Sequence, residues 1–139
     1  GAGWTVKCLL DTNICIYLMK HEVPAAKARF EQCFYGDVGI SAITLAELRY
    51  GIELKPDARS QNERALERLL CDLVVASFEN DAAGAYGRLR AGIPRDQRRK
   101  DALDKLIASQ AIALGAILVT NNEADFNRYP GVTIENWTL

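Results

Sequence analysis

Apolar residues along the chain fall in short clusters separated by polar stops, and the clusters alternate between two kinds. The run Val6-Lys7-Cys8-Leu9-Leu10 halts at Asp11-Thr12-Asn13. It predicts a buried strand over 6–10, too short and too apolar for a surface helix. A helix over 14–20 follows, and Pro24 opens another over 24–34. Gly36-Asp37 turns the chain into a strand over 38–41, after which helices are predicted over 44–54 and 57–70, the second charged and amphipathic. The β-branched run over 73–77 is a third strand. Asn80-Asp81 starts a helix that Gly92-Ile93-Pro94 ends, and the helix over 101–114 stops at Gly115. Residues 116–120 form the clearest strand; a helical turn follows Asn122, Pro130-Gly131 turns the chain, and 132–137 is the last strand. Strands alternating with helices imply an α/β fold whose central, mainly parallel sheet of roughly five strands is covered on both faces.

Nothing interrupts this alternation, so 6–139 reads as a single domain, with Leu66, Leu69, Leu70 and Trp137 among its core or partner contacts. Residues 1–5 have no starting Met, basic segment or apolar segment, and read as a processing scar or disordered lead-in rather than a signal peptide. A chain of 139 residues, 49% hydrophobic and 25% charged, is long enough for a core of its own. The net charge of −1 excludes binding to nucleic acid through bulk positive charge. No apolar run approaches the ~20 residues of a membrane span. Cys8, Cys15, Cys33 and Cys71 form no close pair and read as reduced thiols of a cytoplasmic protein. With His21 the only histidine, any metal is expected on oxygen ligands.

The acids then become the candidate chemistry. In an open parallel sheet, ligands bind outside the C-terminal ends of the strands, where helix N-termini also gather. Asp11 follows the first predicted strand, and Glu47 falls in the first turn of the helix over 44–54. Asp104 opens the late helix and Asp125 follows the strand ending at Thr120. Each of the last three also has a simpler reading. Thr44-x-x-Glu47 fits a capping box, and Asp101-x-x-Asp104 and Asn122-x-x-Asp125 repeat the spacing with Asp101 and Asn122 as caps. An acid at such a place gains ~0.3–1 kcal/mol from the helix dipole. Four carboxylates converging on one edge nevertheless repel one another unless a cation compensates them. Hard divalent ions prefer such oxygen donors, and they suit phosphoryl transfer because they acidify water and stabilise charge on the leaving oxygen.

The quoted residues also resemble a known family. Leu9-Leu10-Asp11-Thr12-Asn13, Ser41-Ala42-Ile43-Thr44-Leu45-Ala46-Glu47-Leu48-Arg49-Tyr50-Gly51-Ile52-Glu53, Ala102-Leu103-Asp104-Lys105-Leu106-Ile107-Ala108 and Val119-Thr120-Asn121-Asn122-Glu123-Ala124-Asp125-Phe126 are similar to the ordered blocks of PIN-domain ribonucleases. Within that family the chain is most similar to the VapC toxins of bacterial toxin–antitoxin pairs. The resemblance implies a three-layer α/β/α domain and a Mg2+-dependent endoribonuclease, with Mn2+ as a substitute. Asp11 and Asp104 would be the principal metal ligands, with Glu47 and Asp125 completing the catalytic set and Thr12, Asn13, Thr120 and Asn122 orienting the carboxylates. It further implies a structured RNA substrate, the anticodon loop of initiator tRNA or a ribosomal RNA loop. The implied partners are a VapB-like antitoxin, a second copy of the chain in a homodimer, and operator DNA reached through the antitoxin in a larger complex. In one respect the chain departs from the pattern: many relatives carry an apolar residue and Gly where Lys100-Asp101 stands. Asp101 then reads as a helix cap or as an additional ligand.

Residues 88–100 hold six basic side chains against Asp96, a net +5 that leaves −6 for the remainder. Arg95, Arg98, Arg99 and Lys100 are candidates for an RNA-phosphate track leading to Asp104; the other reading is a solvated helix end and loop. Rival functions fit less well. A phosphatase with an Asp nucleophile wants an acid where Asn13 stands, and a receiver-like Mg2+-binding regulatory module wants an Asp near 77–80, where the acid is Glu79. A binding subunit that keeps the fold with weak catalysis stands as a third alternative.

Overall fold

A computed structural model describes residues 6–139; the readings made for residues 1–5 lie outside the described residues. In chain order the elements are β1 (Cys8–Leu10), α1 (Thr12–Lys20), α2 (Pro24–Glu31), β2 (Val38–Ser41), α3 (Ala42–Glu53), α4 (Arg59–Leu70), β3 (Val74–Ala76), α5 (Asn80–Ala91), α6 (Ala102–Leu114), β4 (Ile117–Val119), α7 (Glu123–Phe126) and β5 (Ile134–Glu135). The five strands pair in the order β3-β2-β1-β4-β5, every pair parallel, with Leu9 beside Gly39 on one side and Leu118 on the other. From β1 the chain winds outward first to β2 and β3, then returns to the other side of β1 for β4 and β5. This reversal opens a crevice outside the C-terminal ends of β1 and β4.

Neighbouring strand residues face opposite ways, and the core divides accordingly. Leu10 and Val119 join Ile14, Leu18, Leu48, Leu66, Leu69 and Trp137 under α1, α3 and α4. Leu9 and Leu118 join Leu89, Ile107, Ala108 and Phe126 under α5 and α6. The architecture is the expected α/β/α sandwich.

Several boundaries differ from those read in the sequence, each for a local reason. The first helix begins at Thr12 rather than 14 because the Asp11 carboxylate caps it, accepting from the Ile14 N–H at 2.9 Å. The third helix begins at Ala42 because Ser41 Oγ accepts from the Ile43 N–H at 2.9 Å. The segment over 57–70 splits into a 3-10 turn at Pro56–Ala58 and α4, since Pro56 fixes φ and has no N–H to give. In the predicted strand over 132–137, only Ile134 and Glu135 pair.

Gly39 lies in the middle of β2, and a Cβ there would stand 2.8 Å from the Val74 carbonyl oxygen and 3.3 Å from Val6 Cγ1. The first obstacle is backbone of β3, registered directly against Gly39. Gly39→Ala is expected to destabilise the fold by ~1–3 kcal/mol through overpacking, read as a lower urea midpoint with unchanged m-value; an unshifted midpoint would show that β3 yields freely.

Candidate active site

All four predicted acids reach the C-terminal edge of the sheet, each on its own segment. Asp11 ends β1, its N–H continuing the ladder to the Val119 carbonyl at 2.9 Å, and its side chain is buried. Burial pushes its carboxyl up from the ordinary range, opposed by hydrogen bonds from the Thr120 hydroxyl and the Ile14 amide. Both donors favour the charged form, so this is a carboxylate held in place on two sides. Glu47 projects from α3 and accepts from the Thr12 hydroxyl at 2.8 Å, which ties α3 to α1. Asp125 in α7 accepts from Asn122 Nδ2 at 2.7 Å and faces the Arg128 guanidinium at 3.4 Å. Asn122 in turn is anchored through its N–H to Thr120 Oγ1 at 2.9 Å. Thr120 therefore bridges the Asp11 and Asp125 arms of the edge.

Asp104, in the first turn of α6, is where the charges meet. Its carboxyl is pushed up to about 6, by burial first and then by Asp101, Glu47, Asp11 and Asp125 in falling order. Asp125 acts least, in keeping with its outer position beside Arg128.

Some expectations drawn from the sequence require correction here. Glu47 occupies the second turn of α3, not the first, because Ser41 captures the cap; the Thr44-x-x-Glu47 capping box does not form. Thr44 is buried with its hydroxyl unpartnered. Asp101 sits at the cap position of α6 but in the left-handed region, φ 52° and ψ 47°, and its side chain makes no capping bond. Asn122 precedes α7, yet its side chain serves Asp125 rather than the helix backbone. The Asn13 side chain is exposed, and its bond to Asp11 comes from the backbone. In the basic stretch Arg98 turns inward, donating to the Ile93 and Ala91 carbonyls at 3.2 Å each, whereas Arg95, Arg99 and Lys100 are exposed.

Other contacts at this edge were not anticipated. Asn121 Nδ2 donates to the Tyr17 hydroxyl at 2.9 Å, fastening the loop after β4 to α1. Arg128 was findable from its i,i+3 spacing to Asp125. Lys105 and Tyr129 were not: both are buried, and nothing in their spacing marks them. Tyr129 stands edge-on to Phe126 with ring centroids 5.7 Å apart, and its hydroxyl has no partner. Beside Glu47 a groove of about 570 Å3 runs between α1, α3 and α4, floored by Ile16, Met19, Leu48 and Ile52 and rimmed by Lys20, Lys55 and Arg68. Cys15 is fully buried, its thiol pushed up by burial and by Asp11, so it is no nucleophile.

The donor set is carboxylate and hydroxyl oxygen, which fits a hard divalent cation and no soft one. Among the described residues no three Asp, Glu, His or Cys side chains are gathered closely enough to hold an ion in common. The chemistry of the edge fits such a cation, while the side chains as they stand do not close around one.

Residues 8–132, which contain all four acids, match the profile of the PIN domain. The chain belongs to the PIN-domain family. It is 35% identical over 133 residues to the tRNA(fMet)-specific endonuclease VapC of Shigella flexneri, covering 96% of this chain and 99% of that one. It is 37% identical over 130 residues to ribonuclease VapC2 of Rickettsia felis, covering 93% and 96%. The PIN fold superposes on a chain of DNA-bound VapBC from Salmonella typhimurium with a TM-score of 0.86 at 36% identity, covering 95% of this chain and 98% of that one. On a chain of VapBC2 from Rickettsia felis bound to a promoter DNA fragment the TM-score is 0.82 at 34% identity, covering 95% and 99%. Within the PIN family this chain is a member of the VapC ribonuclease group. No helix among the described residues is long and apolar enough to cross a membrane.

Proposed function

We propose that this chain hydrolyses phosphodiesters of initiator tRNA in a Mg2+-dependent reaction, with Mn2+ as a substitute, and acts in the cytoplasm as a translation-blocking toxin restrained by a VapB-type antitoxin. The observation that carries the reading is the convergence of four other acids' charge on Asp104 at the switch point of the sheet. The substrate follows from relatives at 35% and 36% identity that are tRNA(fMet)-specific endonucleases.

Asp11, Asp104 and Glu47 would hold the cation, with Asp125 on the outer side. When bound, Mg2+ supplies an acidified water and charge stabilisation on the departing oxygen. The chain's own share is to keep the acids aimed. Thr120 and the Ile14 amide fix Asp11, Thr12 fixes Glu47, and Asn122 fixes Asp125. Removing such supporting groups commonly lowers metal affinity or activity ~10–100-fold.

RNA is assigned to the exposed Arg95, Arg99 and Lys100, with Arg98 reassigned to holding its own loop. Neutralising those three together is expected to weaken RNA binding and flatten its dependence on log salt by about 2–3, roughly 0.7–0.9 for each phosphate no longer neutralised. Arg98→Ala is expected to lower thermal stability with little change in that slope; a slope unaltered by the triple variant removes the phosphate track. The antitoxin is assigned to the groove beside Glu47, the working toxin to a homodimer, and operator DNA to the complex through its antitoxin; two of the neighbouring structures are VapBC complexes bound to DNA.

The deciding experiment incubates metal-loaded, antitoxin-free protein with total bacterial RNA and maps the new ends, with EDTA and Asp11→Ala as controls. Cleavage confined to the anticodon loop of initiator tRNA and lost in both controls is expected. Ends in ribosomal RNA would redirect the substrate, and no cleavage of any RNA would leave a binding subunit.

A further inference from the structure

Lys105 follows Asp104 directly and is 1% exposed. Lysine is almost never buried so fully without compensation for its charge. Its ammonium reaches back beyond its own helix to donate to the Lys100 carbonyl and lies over the Tyr129 ring, 5.7 Å from the centroid. The loop closed by that bond contains Asp101, which with His21 is one of two non-glycine residues of positive φ among the described residues. A residue with a Cβ adopts this conformation only at a cost. His21 lies in a helix C-terminal cap, where a left-handed residue is ordinary. Asp101 precedes a helix, and its side chain makes no local capping bond that would favour the conformation. Backbone held in this way persists when its surroundings over-determine it. What spans this turn from outside is the Lys105 ammonium, and the turn sets where α6 begins: the Lys105 N–H makes the first helical bond, to the Asp101 carbonyl at 3.1 Å.

We propose that Lys105 is a positioning residue for Asp104: its buried ammonium, seated on the Tyr129 ring and bonded to the Lys100 carbonyl, holds the left-handed turn at Asp101 closed and so fixes the first turn of α6 on the acidic edge. The link to cleavage rests on the function proposed for Asp104; the state of the turn is measurable without RNA.

Lys105→Met retains an unbranched apolar stem against Tyr129 and removes the ammonium. It is expected to speed hydrogen exchange of the amides at 105 and 106 about tenfold, the factor by which a released left-handed residue favours opening. A similar fall in kcat is expected at nearly unchanged KM. Asp101→Gly adopts the left-handed region freely, so adding it to Lys105→Met is expected to restore most of both losses. Asp101→Asn removes the same charge but keeps the Cβ, and is expected to restore much less than glycine does. Unchanged exchange in Lys105→Met, absence of rescue by glycine, or equal rescue by asparagine would each overturn the proposal. If Lys105→Met alone does not fold, the double variant with Asp101→Gly is expected to fold, and its failure overturns the proposal too. Exchange that follows the expected pattern while Asp104→Ala cleaves normally would instead remove the reading of Asp104 and leave the clamp standing.

Discussion

Asp104→Asn is expected to lower RNA cleavage about a thousandfold while making the metal-free protein more stable at neutral pH. The two effects share one cause. Asparagine keeps the shape of the side chain and removes the charge on which Asp101, Glu47, Asp11 and Asp125 converge. Losing a principal ligand forfeits several kcal/mol of charge stabilisation, and at about 1.36 kcal/mol per decade three decades is the natural scale. For the metal-free fold the same charge is a burden. The Asp104 carboxyl stands near 6 in the folded protein against an ordinary 3.8, so between those values the folded state binds more protons than the unfolded chain. Stability therefore falls as pH rises through that window. The stabilising contribution is complete below about 3.8 and gone above about 6. Asp11 is shifted in the same direction by burial and adds to the slope. Urea midpoints in EDTA at pH 4, 5, 6 and 7 should decline in the wild type and decline less in the variant. A variant that tracks the wild type at every pH would sink this account, as would one that cleaves at wild-type rate.

Trp137→Ala is expected to cost ~3–5 kcal/mol, a large part of the 5–15 kcal/mol that keeps a typical domain folded. The indole is 2% exposed and closes the cluster under α1, α3 and α4. Its Nε1–H donates to Glu135 Oε1 at 2.7 Å, and the Arg29 guanidinium, paired with the same carboxylate, lies 5.5 Å over the ring. The damage should reach the acidic edge, because the Glu135 carbonyl accepts from the Thr120 N–H at 3.0 Å and Thr120 holds Asp11. Trp137→Phe keeps most of the apolar volume and is expected to lose much less. Urea unfolding followed by far-UV circular dichroism separates the outcomes. Equal midpoints for Trp137→Ala and the wild type would mean that the buried indole contributes nothing to holding the fold.

What could be read in the sequence was whatever short-range chemistry decides. Asp11 stood out because an acid directly after a buried run has no ordinary surface explanation, and the five strands announced themselves as apolar clusters between turn residues. Glu47 was placed a turn too early because Thr44 and Ser41 compete for one cap, and the strand end delivers Ser41 to it first. The position of β1 between β2 and β4 could not be read, since pairing across such separations leaves no mark in local spacing. The left-handed Asp101 and the inward turn of Arg98 share that obscurity. Each is imposed by carbonyl groups whose position exists only after the chain has folded.

On the ribosome, β1 emerges long before its neighbour β4, although Cys8 to Leu10 are registered against Ile117 to Val119. An incomplete translation product can pair β1 with β2 and β2 with β3, and holds Asp11, Glu47 and Asp104 while Thr120 and Asp125 do not yet exist. Termination before β4 therefore leaves Asp11 without the Thr120 hydroxyl that holds it. The hydrogen-bonded arm of Thr120, Asn122 and Asp125 is added only once β4 and α7 have been made, so the connectivity itself leaves completion of the acidic edge to the last stage of the domain's synthesis.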